Sequence, residues 1–157
     1  MVSDVLYRDE QLSQLSKRLN IPKTTVLDIW NSYLNYLWDR IYEGFTVKFL
    51  NVCYIRVDGR DIKEHETLAY ISTEISYMLN ISKDIVFRVL SSFEEYLIEN
   101  LRKYYGYCIK GLVRIRYEKV EDGSRRVRAK KSTIYNGLDV TVIMLGSFKR
   151  KVEMYAG

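Results

Sequence analysis

The chain has 157 residues, 47% of them hydrophobic, with 25 Lys/Arg against 20 Asp/Glu and a formal charge of +5. That is enough for one domain or two closely packed half-domains, and it excludes general disorder. No run approaches 18 uncharged apolar residues, residues 1–11 lack an apolar signal core, and Cys53, Cys108 and His65 are too few and too scattered for a standard zinc set. A soluble cytoplasmic protein, or one carried in a particle made inside a cell, is therefore expected, with no membrane association, metal or small-molecule cofactor.

In chain order, Leu12, Leu15, Ser16 and Leu19 lie three and four apart and predict a short helix. Asn20-Ile21-Pro22 interrupts it, with Pro22 suited to the first turn of the next helix. That second helix is longer, with Val26, Ile29, Trp30, Tyr33, Leu34, Leu37, Trp38 and Ile41 repeating at the same spacing and Gly44 as its stop. Phe45 to Phe49 and Val52 to Val57 then read as two strands of a hairpin turning near Leu50-Asn51. Phe45, Val47 and Phe49 share one face, as do Cys53, Ile55 and Val57. Asp58-Gly59 closes the second strand, and a charged connector with His65 exposed leads to the next helix.

A shift of 60 residues repeats the pattern. Leu19-Asn20-Ile21 recurs as Leu79-Asn80-Ile81, and Leu15, Val26, Ile29, Tyr33, Tyr36, Leu37 and Ile41 correspond to Ile75, Val86, Val89, Phe93, Tyr96, Leu97 and Leu101. Agreement over two helices and their turn marks an internal duplication. Two such helical hairpins, each with an apolar face it cannot bury alone, are expected to pack as an intramolecular pseudo-dimer, monomeric at micromolar concentration.

After the second helical hairpin, with Gly106 as the expected stop, Tyr107 to Tyr117 reads as strand. Residues 121–124 form an Asp-Gly turn and Arg125 to Lys131 returns from it. Asn136-Gly137 turns again before an apolar strand over 138–145, and Lys149 to Met154 begins a short last helix. The first copy reaches the next helix about nine residues after Val57, so it lacks an arm and a third strand.

Charge follows the duplication. Residues 1–100 hold 11 Lys/Arg against 15 Asp/Glu, whereas residues 101–157 hold 14 against 5. The second hairpin carries Arg114, Arg116, Lys119, Arg125, Arg126, Arg128, Lys130 and Lys131, with Glu118, Glu121 and Asp122 close to the turn. Alternation puts Arg114 and Arg116 on one face and Arg126 and Arg128 on one face across the turn. Such a cationic ribbon suits a polyanion, because each phosphate neutralised releases counterions.

These features resemble the bacterial histone-like family, HU and its relatives the integration host factors. Gly44-Phe45-Thr46-Val47-Lys48-Phe49 is similar to the family's helix-end and strand pattern, Ile55-Arg56-Val57 to its second strand, and Gly146 with Phe148-Lys149 to its closing segment. The chain departs from the pattern where Asn51-Val52-Cys53 replaces a Gly-Phe-Gly turn, and residues 119–131 hold no proline to wedge between bases. Val127 is the apolar candidate for contact there.

The resemblance implies an α+β fold of two tandem HU-like units, residues 1–60 without an arm and 61–157 with a basic β-arm. It implies largely sequence-independent double-stranded DNA binding of an architectural kind, nucleoid- or virion-associated. The expected contacts are Arg114, Arg116, Arg125, Arg126, Arg128, Lys130 and Lys131, then Lys149, Arg150 and Lys151, then Lys48 and Arg56.

Three other readings are weighed beside it. Leu15 to Val26 looks like the opening of a helix-turn-helix, with Lys23, Thr24 and Thr25 at the start of a recognition helix, which would make a transcriptional regulator. Fourteen tyrosines and two tryptophans suit a structural or interaction protein, a viral one among them, that kept the fold without the DNA role. The basic arm would equally suit an acidic protein partner. No phosphate loop, nucleophile–histidine pair or metal cluster points to an enzyme.

Overall fold

The computed structural model describes residues 5–6, 8–58, 66–103, 106–109, 112–119, 125–131 and 139–154. The expected turns at 121–124 and 136–137, Gly59 and His65 lie outside the described residues, as do the side chains of Arg114, Arg125, Arg126, Lys130 and Lys131, whose backbone alone is described. The elements run β1 (Val5–Leu6), α1 (Arg8–Leu19), α2 (Lys23–Tyr42), β2 (Val47–Phe49), β3 (Cys53–Val57), α3 (Leu68–Leu79), α4 (Lys83–Lys103), β4 (Gly106–Ile109), β5 (Val113–Lys119), β6 (Arg125–Lys131), β7 (Val140–Met144) and α5 (Gly146–Met154).

The 60-residue shift holds at atomic detail. Leu19 and Leu79 end α1 and α3, and Asn20 and Asn80 follow in the left-handed conformation at φ 55° and 54°. Asparagine tolerates that region better than other side-chain-bearing residues. In both turns the hydroxyl of the helix-end serine donates to the isoleucine carbonyl, Ser16 to Ile21 and Ser76 to Ile81, each at 2.6 Å. The isoleucine N–H returns to the serine carbonyl at 3.2 Å in both. Leu-Asn-Ile is thus a helix-terminating device used twice.

The strands repeat as well. Val47↔Ile55, Lys48↔Tyr54 and Phe49↔Cys53 between β2 and β3 match Tyr107↔Ile115, Cys108↔Arg114 and Ile109↔Val113 between β4 and β5. The continuous strand expected from Tyr107 to Tyr117 is therefore two strands. Leu112 sits buried in the turn between them, where Val52 sits in the first copy. Gly106 opens β4 and does not stop α4, which ends at Lys103. Pro22 stands one position before the first helical turn, at the N-cap of α2, its carbonyl accepting the Val26 N–H at 3.1 Å. Gly44 does stop α2, with φ 88° that a side chain would strain.

Two sheets result, β1-β4-β5-β6 and β2-β3-β7. The strand over 140–144, which sequence order assigns to the second copy, pairs antiparallel with β3 and supplies the third strand that the first copy lacks. Its inward row Val140, Val142 and Met144 faces Val57, Ile55 and Cys53 across the ladder. Asp58 N–H to the Asp139 carbonyl (2.8 Å) and Leu145 N–H to the Val52 carbonyl (2.9 Å) close its two ends. The apolar run of 138–145 marks a strand, but nothing local in it names the partner.

The core lies between the sheets and the helices. The β2-β3-β7 sheet rests on α2 and the β1-β4-β5-β6 sheet on α4, and α1 and α3 pack against these two helices. At the centre Trp30 of the first copy stacks on Phe93 of the second, with ring centroids 3.8 Å apart and planes 18° from parallel. Arg18 pairs with Glu99 at 2.6 Å, Arg88 donates to the Leu19 carbonyl at 3.0 Å, and Tyr96 hydroxyl binds Gln14. The copies are therefore joined by both apolar and polar contacts.

Tyr33 anchors the β2–β3 turn. Leu50 adopts φ 46°, a strained value for a branched side chain, and its N–H donates to the buried Tyr33 hydroxyl at 2.8 Å. Burial raises the phenol's pKa and keeps it un-ionised. Phe93, the 60-shift equivalent, has no hydroxyl. Replacing Tyr33 by Phe should cost about 1–3 kcal/mol by leaving a buried N–H unpaired, read as a lower urea midpoint with unchanged m. An unaltered midpoint would remove the anchor.

Candidate nucleic-acid interface

The interface begins with the β5–β6 ladder. Arg114↔Lys130, Arg116↔Arg128 and Glu118↔Arg126 are directly opposed, and between them lie Val113↔Lys131, Ile115↔Ala129, Tyr117↔Val127 and Lys119↔Arg125. Strand side chains alternate between faces. Ile115, Val113 and Val127 are buried, so their row faces the core, while Arg116 and Arg128 are exposed. The register therefore assigns Arg114, Arg116, Arg126, Arg128 and Lys130 to one outward row with a single acid, Glu118.

This sorts the expected contacts. Arg125 and Lys131 fall on the opposite register row, the row of Ile115. They sit at its two ends, facing Lys119 and Val113 across the ladder. They do not join the five cations. Val127, considered as an apolar DNA contact, is 2% exposed and belongs to the core.

The second sheet extends the surface. Its outward row is Lys48↔Tyr54↔Ile143 and Arg56↔Thr141, with Lys48 and Arg56 half-buried and Ile143 exposed. β6 and β7 pack against each other without being hydrogen-bonded strand neighbours, which brings one strand of each sheet together. Shifting by 60, Arg56 takes the place of Arg116 and Tyr54 that of Arg114. Thr141 donates to Asp58 at 2.5 Å, which puts a carboxylate at this end. Positive charge therefore weakens from the second sheet to the first.

On α5, Phe148 and Val152 are buried and fix the helix to the core, leaving Arg150 and Lys151 exposed and Lys149 half-buried. Lys151 lies 4.0 Å from Glu94. Glu94 also accepts the Asn51 N–H at 2.9 Å, so it links α4, the β2–β3 turn and α5. Part of the charge on Lys151 is thereby answered within the molecule.

The segment expected as a helix-turn-helix falls on α1, the Leu-Asn-Ile turn and α2. Lys23 and Thr24 are exposed at the start of α2, but the charged residues exposed further along are Asp28 and Asp39, which would face phosphate with the wrong sign.

A cavity of about 240 Å³ brings Lys48, Glu66 and Thr67 together beside Leu50 and Ile71. Glu66 pairs with Arg40 at 2.9 Å, and burial raises its carboxyl pKa, with Glu74 adding to the rise. Cys53 is a buried free thiol whose pKa burial pushes up to about 12, which keeps it protonated and inert at neutral pH. Among the described residues no three His, Cys, Asp or Glu could hold a metal, and no helix is long and apolar enough to cross a membrane.

No protein-family model and no curated protein matches the chain.

Proposed function

We propose that the protein binds double-stranded DNA through the outward faces of its two sheets, with little regard to sequence. The observation that carries this is the outward row of Arg114, Arg116, Arg126, Arg128 and Lys130 on β5 and β6. Like charges directly opposed across a ladder are destabilising, and Arg116 faces Arg128 at the centre of this one. A polyanion with closely spaced charges offsets that cost. An isolated acidic side chain would answer only one cation.

The order of elements supports an HU-like reading, with each copy a helical hairpin leading into an antiparallel strand pair, β2-β3 in the first and β4-β5 in the second, to which a third antiparallel strand, β7 or β6, is added. In that reading the chain is a fused pseudo-dimer, monomeric at micromolar concentration and associated with a nucleoid or a virion. Its grip is one-sided, because the second sheet carries the cations and the first offers Lys48, Arg56 and Tyr54. Arg150 and Lys149 of α5 are secondary contacts.

Duplex binding measured at two salt concentrations tests the proposal. Five phosphate contacts give a log–log slope of about −4.5, so affinity should fall on the order of 500-fold between 50 and 200 mM salt. Unrelated duplexes should bind within a few-fold of one another. Lys23→Ala with Thr25→Ala should leave both results unchanged. If that pair abolished binding, α2 would be the reader and the sheet surface would not.

A further inference from the structure

We infer that Glu94 is a positioning residue for the cations of α5: its carboxylate holds Lys151 back from a bound polyanion, and its charge sets how much α5 adds to the grip. The inference rests on the DNA reading above and deepens it by naming a residue that weakens the same surface.

Glu94 stands on α4 with its side chain 14% exposed. Its two oxygens meet two different elements. Oε1 accepts the Asn51 N–H of the β2–β3 turn at 2.9 Å, and Oε2 lies 4.0 Å from Lys151 Nζ on α5. A carboxylate so nearly buried is tolerated where it is both hydrogen-bonded and paired. These two contacts supply both conditions.

The duplication provides an internal control. Shifting by 60, Glu94 takes the place of Leu34, which packs half-buried against the core. The same helix position is therefore filled without a charge in the first copy, so packing does not call for the acid. What differs is the neighbour. Among the described residues the first copy has no helix corresponding to α5, since β3 leads on to α3. The acid occurs in the copy that has a cationic helix beside it.

α5 carries Lys149, Arg150 and Lys151 in succession, and its other charged residue is Glu153. It packs against β6 as well as α4, so its cations border the strand that bears Arg126, Arg128 and Lys130. A phosphate that takes Lys151 must draw it away from Glu94. The carboxylate, still held by the Asn51 N–H, remains in place and repels that phosphate. Lys151 thus contributes less to binding than its exposure would allow.

Titration of a fluorescent duplex of about 20 base pairs over a range of salt, with the parent, Glu94→Gln, Lys151→Gln and the double variant, tests this. Gln keeps an acceptor for the Asn51 N–H, so Glu94→Gln should melt as the parent does. It should bind on the order of fivefold tighter at low salt, with a log–log slope steeper by about 0.9, one contact's worth. Lys151→Gln should cost several-fold more affinity in the Glu94→Gln background than in the parent. Glu95→Gln, which removes an equal charge from the exposed neighbouring position, should raise affinity less and leave the slope unchanged. A parent without salt-dependent binding would overturn the DNA reading and this inference with it. Parent binding with no steeper slope in Glu94→Gln, an equal gain from Glu95→Gln, or the same cost of Lys151→Gln in both backgrounds would overturn the inference alone.

Discussion

Replacing Arg114, Arg116, Arg126 and Arg128 together by Ala should lower duplex affinity on the order of 100- to 1,000-fold at 0.1 M salt and flatten the salt slope by about 3.6, four contacts' worth. All four stand on the outward register row, opposite the buried row of Val113, Ile115 and Val127. Because the buried row is untouched, the variant should keep a cooperative melt at low salt. Loss of binding without loss of stability separates a binding row from a folding row. Arg125→Ala with Lys131→Ala, two cations on the other row, should cost far less. Equal losses from the two sets would mean that net charge alone drives binding, and undiminished binding in the fourfold variant would sink the proposal. Titration of a fluorescent duplex, with thermal melts of the same samples, reads both quantities.

Phe93→Ala should be the most damaging single core change. Phe93 is fully buried, stacked on Trp30 at 3.8 Å and edge-on to Tyr96 at 6.2 Å. Truncating such a ring costs about 3–5 kcal/mol in lost transfer energy and cavity formation. The whole fold is worth roughly 5–15 kcal/mol, so the melting midpoint should fall by about 10 °C. The position of the ring adds a second consequence, because Trp30 belongs to one copy and Phe93 to the other. If the two copies fold as one body, the denaturation curve should move to lower urea with its slope preserved. A biphasic curve would show two halves melting separately and would contradict the shared core.

The duplication was legible because it rests on local signals: helical spacing, the Leu-Asn-Ile stop and the strand alternation all recur 60 residues on. The outward placement of Arg116 and Arg128 was legible for the same reason, since alternation with Ile115 and Val127 needs only a period of two. What stayed hidden depends on partners distant in sequence. Residues 140–144 announce an apolar strand but not its pairing with β3, and Arg125 looks equivalent to Arg126 until the ladder puts it across from Lys119. The short β1, parallel to β4, has no distinguishing pattern in Val5-Leu6.

The return of β7 to β3 also sets an order of assembly. Ile55 and Val57 gain their outer neighbour only when residues 140–144 have left the ribosome, more than 80 residues after β3 itself. Until then the first sheet presents an unpaired β3 edge. The second sheet, whose β4, β5 and β6 are contiguous in the chain, can zip up as it emerges. Synthesis therefore runs from the first copy to the second, while completion of the sheets runs the other way, with β7 onto β3 the last of the strand pairings to become possible.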